Sequence, residues 1–259
     1  MDPNIQHLGF FHLSRAHITN PVRSLRIQLL KRRRDDLTRT LLVLPEAFNI
    51  REQYIFWPRG SSVRKPDSST RNHLRKLSTK FKVAFVVSLI EADIPSGQRG
   101  YNSAYLIDGP VVKLLSRKML CDGSSRYSPH PPFLDTAIKH RGACISSLIC
   151  RDATEDMNDP RIDSFFDAVI ARMAAKRMAR NLMCIPARTT RYDGVQLTGK
   201  WCSRLLEKGM LSPCAIFANA DSKPSALSME GLVLTTPWNA ERDEIKIAFN
   251  RKLGRRKKS

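Results

Sequence analysis

A thiol, a carboxylate and an ammonium each stand at the exit of an apolar run in this 259-residue chain. Cys150 ends the stretch Gly-Ala-Cys-Ile-Ser-Ser-Leu-Ile-Cys-Arg-Asp at 142–152, where Ile145, Leu148 and Ile149 read as a short buried strand and Arg151-Asp152 mark its departure from the core. Glu46 follows the run Thr-Leu-Leu-Val-Leu at 40–44 and its stop at Pro45, and Lys118 lies near the end of 111–120. A side chain at such an exit is held by rigid backbone yet opens into a cleft. Amide or nitrile hydrolysis by a thiol needs these three types: the carboxylate takes the thiol proton and later activates water, the thiolate attacks carbon, and the fixed cation stabilises the oxyanion. A nearby lysine favours the thiolate, and a carboxylate held between the two stays ionised. Against this stands the common role of a free cysteine as a small core hydrophobe, which is how Cys144 is read. A Cys-His pair is the competing arrangement, but His130 lies in a Pro-rich stretch and His140 among charges, as solvated histidines do.

Positioning the three groups requires buried strands, and continuous apolar runs predict them at 40–44, 82–90, 101–108, 145–149, 182–186 and 212–220. Helices are expected at 21–38, 73–80, 161–180 and 201–208. In the third, Ile162, Phe165, Phe166, Val169, Ile170, Met173 and Met178 form a stripe at helical spacing that reads as core packing. Residues 8–13 suggest a first or edge strand, 232–236 a further strand and 245–249 a peripheral element. The stretches 51–69 and 121–134, rich in Ser, Pro and Gly, read as loops. Strands alternating with helices predict a layered α/β fold. One domain over 1–250 is expected, with a basic, disordered tail at 251–259.

Lys plus Arg number 44 against 24 for Asp plus Glu, a formal net charge of +20. Such a field attracts nucleic acid or other polyanions but does not dictate a fold. The block Lys31-Arg32-Arg33-Arg34 reads first as a solvated helix face, and no aromatic residue is interleaved with the basic blocks, so nucleic-acid binding through them would be nonspecific. Six cysteines without a CxxC pair indicate neither a zinc ribbon nor a disulfide framework, and point to a reducing, cytoplasmic setting. The chain starts without a secretory pattern and has no apolar run of membrane-spanning length, so no membrane insertion is expected.

Four pieces together resemble the nitrilase, or carbon-nitrogen hydrolase, superfamily: Leu-Val-Leu-Pro-Glu-Ala-Phe at 42–48, Tyr-Asn-Ser-Ala-Tyr-Leu-Ile-Asp-Gly at 101–109, Ser-Arg-Lys-Met-Leu at 116–120 and Leu-Ile-Cys-Arg-Asp at 148–152. Weaker similarity continues through 182–187 and 216–220. The resemblance implies a four-layer αββα sandwich, assembled as a homodimer or higher homo-oligomer, that hydrolyses a non-peptide carbon-nitrogen bond through a Cys thioester with no metal or organic cofactor. Carried over by motif, Glu46 is the general base, Lys118 the oxyanion stabiliser and Cys150 the nucleophile. An aspartate two places after the cysteine resembles the amidase branches and tilts the small-molecule substrate towards an amide over a nitrile. Arg151 stands where an aromatic residue is common, so it changes the wall beside the nucleophile and becomes a candidate substrate-binding residue. No Glu lies between Lys118 and Cys150, where many members have one; the acids there are Asp122 and Asp135. Beyond Asn219 the usual closing strands have only a faint echo at 228–231. Acyl transfer to an amine shares the first half-reaction, and the alternative of another class is a catalytically degenerate scaffold that binds nucleic acid or another polyanion through its basic surface.

Overall fold

The structure, a computed structural model, describes residues 4–17, 20–50, 67–91, 101–120, 137–154, 160–237 and 240–249. The first half runs β1 (His7–His12), α1 (Pro21–Leu30), α2 (Arg34–Leu37), β2 (Thr40–Val43), α3 (Asp67–Phe81), β3 (Ala84–Ile90), β4 (Asn102–Asp108) and β5 (Val111–Arg117). The second runs β6 (Ala137–His140), β7 (Ala143–Ser147), α4 (Pro160–Ala175), β8 (Asn181–Ala187), α5 (Gly194–Glu207), β9 (Pro213–Asn219), β10 (Ala226–Met229), β11 (Leu232–Thr235) and β12 (Glu244–Phe249).

Two mixed six-stranded sheets result, in the orders β12-β1-β2-β3-β4-β5 and β11-β10-β9-β8-β7-β6. Each has three parallel strands at its centre, β1-β2-β3 and β7-β8-β9, flanked by antiparallel neighbours. The central strands read as unbroken apolar runs because both of their faces are covered. Alternation assigns the faces: Leu8, Phe10, Leu41, Val43, Ala84 and Val86 join the core shared with the second sheet, whereas Phe11, Leu13, Leu42, Leu44, Phe85 and Val87 pack outward with Leu25 and Leu29 of α1 and Leu74 and Leu77 of α3. On the far side of the second sheet, Phe166 and Val169 of α4 and Trp201 and Leu205 of α5 complete the core, with the Phe166 and Trp201 rings edge to face at 4.9 Å. The layers are therefore α, β, β and α, as the resemblance implied.

Several boundaries differ from expectation for local reasons. The helix expected over 21–38 is two, α1 and α2, separated around Lys31–Arg33. No apolar side chain lies between Leu30 and Leu37 to anchor that stretch, and four successive cations repel one another along a helix. The helix expected at 201–208 begins at Gly194, because the Asp193 carboxylate caps the amides of Val195 at 2.8 Å and Gln196 at 3.0 Å. Gly194 also lets that end sit close to the sheet: a β-carbon there would stand 2.7 Å from the Phe217 ring and from the Pro224 carbonyl. The third helix ends at Ala175, before Met178. Residues 67–69, read as loop, open α3, while 51–66, 121–134 and the basic tail lie outside the described residues. The peripheral element at 245–249 belongs to β12, which pairs antiparallel with β1 from His7 opposite Phe249 to His12 opposite Glu244. The segment beyond Asn219, faint in sequence, supplies three strands, two closing the second sheet and one closing the first.

Candidate active site

Glu46 sits just after β2 at the end where the two sheets meet. Its amide bonds to the carbonyl of Ala187, the last residue of β8 in the opposite sheet, at 3.1 Å. The turn is pinned to β3 by the Phe48 amide on the Ser88 carbonyl at 2.9 Å and the Ala47 amide on Ser88 Oγ at 3.3 Å. Ala47 adopts φ +52°, a left-handed conformation uncommon for a residue with a β-carbon.

Lys118 follows β5 directly, its amide held by the Asn102 carbonyl at 2.8 Å. Its Nζ donates to Glu46 Oε1 at 2.7 Å. The same oxygen accepts from Asn102 Nδ2 at 2.7 Å, and Asn102 Oδ1 in turn accepts from Ser88 Oγ. Glu46 is 0% exposed and Lys118 5%, so the pair is desolvated and its charge-assisted bonds are strong.

Cys150 lies at the third exit. β7 ends at Ser147, and Cys150–Ala153 form a 3-10 turn in which Cys150 takes φ +48°. Such backbone is costly for a non-glycine residue and persists only where the surroundings hold it. Here the Leu148 amide is tied to the Cys184 carbonyl at 3.1 Å, and Trp201 Nε1 donates to the Ala153 carbonyl at 2.9 Å. The thiol, 6% exposed, is pushed up to about 12, first by burial and then by the Glu46 charge, against opposing contributions from the Lys118 charge and the Arg188 backbone N–H; a side-chain hydrogen bond with Glu46 raises it further. Glu46 Oε1 takes both nitrogen donors, while buried Oε2 accepts from no nitrogen or hydroxyl among the described residues.

The structure thus brings Glu46, Lys118 and Cys150 into one electrostatic cluster. Arg151 is half-buried on the turn beside Cys150, and its carbonyl accepts from the amide and hydroxyl of Thr154 at 3.0 and 2.7 Å. His140 is engaged elsewhere: its Nε2 lies 2.8 Å from Asp108 Oδ2, and Arg141 binds the same carboxylate. His130, Asp122 and Asp135 lie outside the described residues. Cys144 is wholly buried in the core between the sheets, as read.

Sequence reasoning missed three contributors. Asn102 was legible only as a polar residue opening an apolar strand. Asp152, 2% exposed, accepts the amides of Met119 at 2.9 Å and Leu120 at 2.8 Å and so fixes the backbone immediately after Lys118. Burial raises its carboxyl to about 7, opposed by the Lys118 charge and those two amides. Arg188, next after β8, is 6% exposed and donates to the carbonyls of Ala47 and Ile50 at 3.3 and 3.4 Å. It braces the turn that carries Glu46, and burial lowers its guanidinium to about 10 even with Glu46 nearby. A charged type placed just outside an apolar run was the signal for either, and Asp152 was read as a mark of the amidase branches with no anchoring role. Among the described residues no three His, Cys, Asp or Glu side chains gather as a metal site, and no helix is long and apolar enough to cross a membrane. The five described cysteines are free thiols.

No protein-family model and no curated protein sequence matches the chain. Solved structures do. An amidase from Nesterenkonia sp. covers 96% of this chain and 91% of its own at a TM-score of 0.57 and 19% identity, and a structure of the Nesterenkonia AN1 enzyme is described as an amidase from the nitrilase superfamily. This chain has the nitrilase-superfamily fold. One variant of that amidase, showing covalent addition of the acetamide moiety of fluoroacetamide at its active-site cysteine, matches at a TM-score of 0.58 and 18% identity over 96% of this chain and 92% of the other. Another, in complex with butyramide, matches at 0.57 and 19% over 95% and 91%.

Proposed function

We propose that the chain is an amidase-type carbon-nitrogen hydrolase with Cys150 as nucleophile, Glu46 as general base and Lys118 as oxyanion stabiliser. One observation carries this reading: a buried carboxylate bonded to Lys118 Nζ at 2.7 Å, with a thiol on a strained turn acting on the same carboxylate. Burying such ions costs on the order of several kcal/mol each, a cost that a catalytic role accounts for. That weighs against the degenerate alternative.

The first half-reaction begins with transfer of the Cys150 proton to Glu46 as sulfur bonds to the amide carbon. The raised thiol makes this concerted transfer necessary, because little thiolate exists beforehand near neutral pH. Negative charge moves to the amide oxygen, where Lys118 Nζ opposes it, while the Arg188 backbone N–H steadies the sulfur. Glu46 returns the proton to the departing nitrogen, the carbon-nitrogen bond breaks, and ammonia or an amine leaves a thioester. A water molecule then loses a proton to Glu46 as its oxygen attacks the thioester carbon. Collapse breaks the carbon-sulfur bond, returns the proton to sulfur and releases the carboxylic acid. Lys118 remains protonated throughout.

A short aliphatic amide is the substrate class favoured over a nitrile, supported by the ligands of the Nesterenkonia amidase structures and by the position of Asp152. Arg151 belongs to the substrate-facing wall of this proposal, and a homo-oligomer to its assembly. The deciding experiment is intact-mass measurement after exposure to fluoroacetamide and to a panel of short amides and nitriles, alongside turnover assays. An adduct on the wild type that is absent from a folded Cys150→Ala variant, with turnover lost, is expected. Full turnover by that variant overturns the assignment.

A further inference from the structure

We infer that the groove between α1 and α3 is a binding site for a small polyphosphorylated ligand, separate from the amide site. It encloses about 410 Å³, a volume in the range of small-ligand pockets. Arg23 and Arg26 line it from α1, and His73, Lys76 and Lys80 from α3. The spacings are i, i+3 on the first helix and i, i+3, i+7 on the second, which put each set on one helical face. Two basic rows thus confront each other across one concavity, and among the described residues no Asp or Glu lines it.

Several other surface cations of this chain are partnered. Arg141 binds Asp108, Lys208 lies 3.3 Å from Asp167, and Lys246 lies 2.7 Å from Glu244. Among the described residues none of the four groove cations, Arg23, Arg26, Lys76 and Lys80, forms an ion pair; His73 Nδ1 lies 2.8 Å from the Ser69 carbonyl, and Lys80 sits over the Phe81 ring. Like charges gathered in a concavity repel, and the field there is focused outward onto anions. The N-terminus of α1 opens into the same groove, with Asn20 and Pro21 at its rim, adding the positive end of a ten-residue helix dipole. Val22, Phe48 and Leu77 supply an apolar floor. Several monovalent cations, a helix N-terminus and, among the described residues, no acid match several linked phosphates better than a single carboxylate. The groove's limited volume favours a compact ligand over a strand lying along the surface. Part of the +20 charge of the chain thereby acquires a specific use.

The test is titration of the full chain with inorganic tripolyphosphate, read by calorimetry at low salt, beside a single-stranded oligonucleotide and the doubly reversed variant Arg26→Glu/Lys76→Glu. These side chains are exposed, so folding is retained and is checked by melting temperature. Lys113→Glu/Lys139→Glu removes the same charge from exposed strand positions. Tripolyphosphate is expected to bind the wild type and Cys150→Ala equally, with affinity that falls steeply as salt is raised. The groove variant should lose at least about tenfold in affinity and the strand variant less than about twofold. Absence of tripolyphosphate binding, equal losses in the two variants, or binding of the oligonucleotide alone overturns the inference. None of these outcomes depends on whether the chain hydrolyses amides.

Discussion

Asp152→Asn tests whether the site is assembled by backbone anchoring as well as by its three reactive groups. Each Asp152 oxygen accepts one amide, Met119 N–H on Oδ2 and Leu120 N–H on Oδ1. An amide side chain keeps one acceptor and presents a donor to the other N–H, which is left half-buried without that acceptor. Such an orphan costs about 1–3 kcal/mol, and at about 2–4 °C per kcal/mol for a chain of this size the melting temperature should fall by roughly 3–10 °C. The same change frees the backbone next to Lys118, whose Nζ in the proposed mechanism must stay on Glu46 and on the developing oxyanion. Misplacement by about 1 Å lowers turnover by up to roughly a hundredfold, so kcat should drop about 10- to 100-fold while KM stays within about threefold. The pH dependence separates this role from a merely space-filling one. Burial raises the carboxyl from 3.8 to about 7, so between those values the folded chain holds a proton that the unfolded chain releases. Stability from this group is full below its unfolded value and is lost as the pH rises through about 7. The variant has no such proton, so the melting-temperature gap between wild type and variant should narrow from about pH 5 to about pH 8. Unchanged kcat, or a gap that widens over that window, refutes the reasoning.

Lys118→Met removes the charge that opposes the rise of the Cys150 thiol. Alkylation of Cys150 by iodoacetamide, followed by mass spectrometry, should climb with pH in the wild type without levelling below about pH 9, and should be slower in the variant at every pH; a plateau near neutrality would show a preformed thiolate. Asn102→Leu strips Glu46 Oε1 of one donor and Ser88 Oγ of its acceptor. A stability loss of about 1–3 kcal/mol by denaturant melts, with kcat reduced, is expected; unchanged kcat would mean that Lys118 alone holds Glu46.

The sequence by itself determined where the buried strands run and which reactive types stand at their ends. Val83 to Ile90 and Leu182 to Ala187 are apolar almost without interruption because each central strand is covered on both faces, and that burial is written residue by residue. Glu46, Lys118 and Cys150 were legible because a charged or nucleophilic residue just beyond such a run breaks its pattern. Contacts between residues distant along the chain were not legible. Asn102 reaches Glu46 across 56 residues, Asp152 reaches the backbone after Lys118 across 33, and Arg188 reaches Ala47 across 141. An apolar period reports that a face is covered but not by what, so it could not place β12 beside β1 or bring the ends of β2 and β8 together. Only the packing of the two sheets decided that, and with it which isolated charges became a single site.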